Sequence, residues 1–147
     1  MKTLLVLFCA FAFVSATYSP AWDQCGNFSD VWTPTSVTAK KDPYHVNKTL
    51  VSACGTVKSH GDFTIFKNLE VTQNVSVFFV TDWYAYHRVV PSGSEFCLNY
   101  RHNYATYSPS NVLLYIKAFN ILGEEAGCVN ITLRVPVHES ELSLNQI

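Results

Sequence analysis

Through much of the chain apolar and polar residues alternate with a period of two, in short runs separated by turn residues. The clearest run is 48–57, where Val51, Ala53, Gly55 and Val57 fall on one side and Ser52, Cys54 and Thr56 on the other. Residues 128–137 set Val129, Ile131, Leu133 and Val135 against Asn130, Thr132 and Arg134, and the charge marks the second face as the solvated one. Residues 95–104 repeat the pattern with Phe96, Leu98 and Tyr100, and 112–120 is a further apolar run containing Val112, Leu114 and Ile116. Runs at 31–39, 63–71 and 75–86 complete a set of seven expected strands. The first of these carries Pro34, which cannot donate to a ladder and favours a sheet edge. In the last two the register is ambiguous, because both faces carry apolar residues. The reading adopted turns Phe63, Ile65, Val77 and Phe79 inward; Phe78 and Val80 offer the opposite register, and a one-residue slip inverts the set.

Turn signals stand between the runs: Asp42-Pro43, Ser59-His60-Gly61-Asp62, Pro91-Ser92-Gly93, Tyr107-Ser108-Pro109-Ser110-Asn111 and Leu122-Gly123-Glu124-Glu125. No run of ten or more residues follows the helical period of about 3.6, and no internal repeat is visible. The expected fold is all-β, an immunoglobulin-like sandwich of two sheets and about seven strands. It occupies residues 17–137 as one domain, followed by a polar tail, 138–147.

The N-terminus departs from alternation. A basic Met1-Lys2 start precedes an unbroken apolar run from Leu4 to Val14, and Val14-Ser15-Ala16 suits signal peptidase. Residues 1–16 are therefore expected to be a signal peptide, too short to span a bilayer as a mature helix. Its removal takes Cys9 and leaves Cys25, Cys54, Cys97 and Cys128. An even set in a secreted chain implies disulfides, with three pairings open. Asn27, Asn47, Asn74 and Asn130 each begin an Asn-x-Ser/Thr acceptor and are candidate glycosylation sites. The expected location is secreted or lumenal, including endosome or lysosome.

Charged residues are 14% of the chain and the formal net charge is −1, so the electrostatic footprint of a nucleic-acid binder is missing. Aromatics are also 14%, more apolar bulk than a lean core demands; they either fill the core or line a cavity. His45, His60, His87, His102 and His138 lie far apart without ligand spacing and are expected at surfaces or turns. Gly-x-Ser-x-Gly, phosphate-binding and dinucleotide-binding motifs are absent. Glu124-Glu125, the nearest approach to a carboxylate pair, are neighbours that point in different directions. No enzymatic activity, catalytic residue, metal ion or cofactor is expected.

Several segments, taken in order, resemble the ML-domain (lipid-recognition) family. Trp22-Asp23-Gln24-Cys25-Gly26 resembles its opening Cys-Gly, and Asn47-Lys48-Thr49-Leu50-Val51-Ser52-Ala53-Cys54-Gly55-Thr56 its second strand. Val90-Pro91-Ser92-Gly93 resembles the turn before its fifth strand. Tyr107-Ser108-Pro109-Ser110 and Ile116-Lys117-Ala118-Phe119-Asn120 resemble its next loop and strand, and Gly123-Glu124-Glu125 through Leu133 its closing hairpin. The family's usual cysteines in the first inter-strand loop and before the fifth strand are missing here.

The resemblance implies a monomeric carrier that holds a phospholipid or sterol between two sheets, with transient membrane contact. It implies a terminal staple, Cys25–Cys128. It also makes the second and fifth strands neighbours, so the outward-pointing Cys54 and Cys97 can pair. Lipid would then meet the inward set: Val51, Ala53, Val57, Phe63, Ile65, Val77, Phe79, Phe96, Leu98, Tyr100, Val112, Leu114, Ile116, Val129, Ile131 and Leu133. The alternative is an immunoglobulin-like protein-binding module for adhesion or signalling, with a solid core.

Overall fold

A computed structural model describes residues 16–27, 31–45, 47–75, 77–104 and 111–134. Residues 1–15 of the expected signal peptide, the Tyr107-Ser108-Pro109-Ser110 turn, Val135 and the expected polar tail lie outside the described residues. The described chain is all-β, with nine strands. They are β1 (Thr17–Tyr18), β2 (Ala21–Gln24), β3 (Trp32–Lys41), β4 (Lys48–Val57) and β5 (Phe63–Val75), then β6 (Phe78–Pro91), β7 (Glu95–Asn103), β8 (Asn111–Asn120) and β9 (Glu125–Arg134). One sheet has the order β1-β3-β4-β7 and the other β2-β9-β8-β5-β6. Every pairing is antiparallel.

The seven long strands match the seven apolar runs. β1 and β2 are additions of two and four residues, too short for alternation to reveal them. β2 adds an edge to the second sheet, pairing Ala21 with Thr132 and Gln24 with Val129. Pro34 falls where β3 slips register between Pro34 and Ser36, so its missing N–H breaks a ladder already interrupted. The turns after β6 and β8 place Gly93 and Gly123 at φ 82° and 80°, which a Cβ would oppose.

The core is the set of side chains that the two sheets turn toward each other. β4 alternates strictly, burying Thr49, Val51, Ala53, Gly55 and Val57. β9 buries Val129, Ile131 and Leu133, with Asn130 and Thr132 half-buried and Arg134 exposed on the other face.

On β5 and β6 the sequence register is corrected. β5 turns Thr64 and Phe66 inward, then Leu69 and Val71, because an irregularity between Phe66 and Asn68 shifts the alternation by one. Phe63 is 55% exposed, and Ile65 lies on the face opposite Thr64 and Phe66. On β6, Phe78, Val80, Asp82 and Tyr84 pair with Val75, Gln73, Val71 and Leu69, which places them on the inner face. Phe79 pairs with Asn74 on the outer face, its ring 6.4 Å from that of Tyr115. Val77 is a turn residue and 96% exposed. With apolar residues on both faces, local pattern could not choose between the registers.

A candidate lipid site between the sheets

One side of the sandwich is closed. β3 packs across to β9, and Trp32, fully buried, donates its indole N–H to the Phe96 carbonyl oxygen at 3.1 Å. A Cβ on Gly127 would stand 2.5 Å from the Trp32 carbonyl oxygen, so the two sheets meet there at a distance only glycine permits. Cys25 and Cys128 are bonded beside this contact, joining positions 103 residues apart. Cys54 and Cys97 are direct partners on β4 and β7 and form the second disulfide.

The other side is open. Its edges are β6 and β7, and their backbones make no approach comparable to that of β3 and β9. Phe66 stacks on Phe96 with ring centroids 4.6 Å apart, and Tyr86 lies 6.2 Å from Phe96. Tyr84 meets Tyr100 edge-on at 5.6 Å, their hydroxyl oxygens 3.5 Å apart. Past that pair, β6 continues with Asp82, Val80 and Phe78 along a face directed between the sheets yet reached by water; Phe78 is 56% exposed. This stretch is the most open part of the β6–β7 side.

Behind it the wall of the first sheet becomes polar. His102 pairs with Thr49 on the inner face of β4 and β7. The Tyr104 ring stands edge-on to the imidazole at 4.6 Å. The Tyr104 hydroxyl donates to the Arg134 carbonyl oxygen at 3.2 Å and lies 3.0 Å from the Thr49 hydroxyl. Burial pushes the His102 imidazole down to about 4, so it is neutral at ordinary pH. Burial also raises the Tyr100 hydroxyl far above its usual range, helped by the Tyr84 hydroxyl beside it.

Of the residues expected to face between the sheets, Val51, Ala53, Val57, Leu98, Val112, Leu114, Ile116, Val129, Ile131 and Leu133 are fully buried there, and Phe96 and Tyr100 are half-buried. Phe63, Ile65, Val77 and Phe79 do not join them. The structure adds Trp32, Phe66, Leu69, Val71, Tyr84 and His102. His102, expected at a surface or turn, is 1% exposed. The signal that could have found it was present: it continues the Phe96, Leu98, Tyr100 alternation by one further step. Of the candidate glycan acceptors, Asn27 and Asn47 are exposed, while Asn74 and Asn130 are half-buried. The Asn74 side-chain oxygen accepts from the Leu113 N–H.

Two open depressions lie elsewhere. One, of about 610 Å³, crosses the outer face of the first sheet among Lys40, Leu50, Ser52, Asn99 and Arg101. The other, of about 880 Å³, lies at one end among Tyr18, Pro20, Thr49, Asn111 and Arg134. The first also touches Ala39, Val51 and Tyr100. Among the described residues, the one grouping with metal-ligand spacing is Cys54, Glu95 and Cys97, and its two sulfurs are already bonded to each other.

By sequence, no protein-family model and no curated protein matches the chain. By structure, a Niemann-Pick type C2 protein from Japanese carpenter ant matches 78% of this chain and 98% of its own, with 14% identity and a TM-score of 0.50. Chicken MD-1, in a crystal structure complexed with lipid IVa, matches 84% of this chain and 99% of its own, with 8% identity and a TM-score of 0.46. The class that emerges is a two-sheet antiparallel sandwich. More closely, the fold is that of the ML-domain proteins, the family the sequence resembles.

Proposed function

We propose that this protein binds a lipid, taking its apolar part between the two sheets through the β6–β7 side. The observation that carries the reading is the asymmetry of the sandwich. Phe78, Val80 and Tyr84 are directed toward an apolar interior but are left partly in water, as unoccupied contacts for a guest would be. The resemblance to lipid-recognition proteins points the same way. The proposed cargo is a phospholipid or a sterol, and the protein acts as a carrier without catalysis. Each methylene removed from water contributes about 0.8 kcal/mol. Ten of them contribute about 8 kcal/mol, enough for useful affinity after part is lost to immobilising the guest. The interior beneath β3, β4, β8 and β9 is filled by side chains, so a guest enters by moving β6 away from β7, the boundary with least to break. Two disulfides fit an oxidising, secreted or lumenal location.

Native mass spectrometry of the secreted protein, with organic extraction, tests the reading. The expected result is a stoichiometric lipid, displaced by a fluorescent phospholipid or sterol analogue. A lipid-free protein that takes up neither analogue would overturn it. The filled part of the core would then favour the protein-binding module.

A further inference from the structure

His102 is buried on the inner face of β7 with neither Nδ1 nor Nε2 hydrogen-bonded. Its polar neighbours are satisfied: Thr49 and Tyr104 share a hydrogen bond, and Tyr104 also donates to the Arg134 carbonyl oxygen. An imidazole so placed leaves one donor and one acceptor desolvated without return. A phenylalanine would occupy the same place between the rings of Tyr100 and Tyr104 without that penalty. Its position relates it to the open stretch of β6. Contacts of Tyr86 with Phe96 and of Tyr84 with Tyr100 show that β6 and β7 run past each other in opposite senses. The next inward residue of β6 is Asp82, and the next inward residue of β7 is His102. His102 therefore stands just inside the opening, one step beyond the tyrosine pair.

We infer that His102 is a hydrogen-bonding site for the hydroxyl group of an uncharged lipid alcohol, held inside the sandwich against β7. This rests on the lipid-binding reading and narrows it. A neutral imidazole offers one acceptor nitrogen and one N–H donor; the lipid hydroxyl donates to the acceptor nitrogen, which an ether cannot do. A phosphate or carboxylate head group does not fit the position, since it would lose its hydration beside a ring that carries no charge.

The test uses two probes of nearly equal apolar size, 1-tetradecanol and its methyl ether, with the full secreted protein and with His102→Phe. The ether keeps the chain and the oxygen but cannot donate. The native protein is expected to bind the alcohol about tenfold more tightly than the ether, the worth of one buried hydrogen bond. In His102→Phe the ratio falls to about one and ether binding is retained. Independently of whether the variant folds, 15N resonances of the His102 ring in the native protein should shift with the alcohol and not with the ether. Equal affinity for both probes with unmoved His102 resonances overturns this inference and leaves the lipid reading standing. A preference for the alcohol that persists in His102→Phe also overturns it. If neither probe binds, this inference falls, and the lipid reading is decided by uptake of the phospholipid or sterol analogue.

Discussion

Along β3 and β9 the sheets are joined by a fully buried tryptophan lying on a glycine, with a disulfide beside them. Along β6 and β7 the same two sheets are joined by tyrosine rings in edge contact, and from Asp82, two residues further, the inner face is wet. The two sides differ in the separation of the backbones and in their inward residues, which on the open side include Asp82, Tyr84, Tyr100 and His102. Where backbones touch, almost any added atom is a clash. Where side chains bridge a gap, the bridge can rearrange and the gap can admit a guest.

The comparison breaks most visibly at Gly127. Gly127→Val forces a side chain against the backbone and indole of Trp32 and is expected to cost about 4 kcal/mol, or to prevent folding. Urea denaturation, or the yield of folded protein, checks it. Removing the staple on the same side comes next. Cys25→Ser with Cys128→Ser should cost about 4 kcal/mol, and Cys54→Ser with Cys97→Ser roughly 1 kcal/mol less, because the second pair closes 43 residues rather than 103. Equal losses would mean that chain entropy is not what distinguishes the two bonds.

The open side answers to pH. His102 titrates near 6.5 in the unfolded chain and at about 4 in the folded protein. Between these values the unfolded chain binds a proton that the folded protein refuses, so stability falls as pH drops from 6.5 toward 4, by up to about 3 kcal/mol, and falls no further through this group below that. Denaturation midpoints at pH 7 and pH 4.5 should differ accordingly in the native protein, and by less in His102→Phe. A pH dependence unchanged in the variant would assign the effect to other groups.

The smallest effect on stability belongs to the open stretch of β6. Phe78→Asp, at a 56% exposed position, should change stability by no more than about 0.5 kcal/mol. Lipid uptake should nonetheless weaken by about tenfold, because a charge replaces an apolar contact at the opening. Unchanged uptake would move the opening away from β6.

Alternation is a local property, and what depends on it was legible in the chain. Residues 48–57 form β4 over those bounds, and Val51, Ala53 and Val57 face inward. The outward direction of Cys54 and Cys97 and the inward face of β9 could be read the same way. The registers of β5 and β6 could not, because apolar residues such as Phe78 and Phe79 occupy both faces, and an irregularity at Lys67 resets the count midway. Nor could sequence say which side of the sandwich opens. Whether an inward residue such as Tyr84 meets a partner or water depends on how far away the opposite sheet stands. On the closed side the sheets meet at Gly127 and Trp32, residues almost a hundred positions apart, a contact that no local pattern announces. His102 belongs to the same case. Its alternation was readable, but its burial without a partner follows from the packing of β7 against the second sheet, which only the folded chain decides.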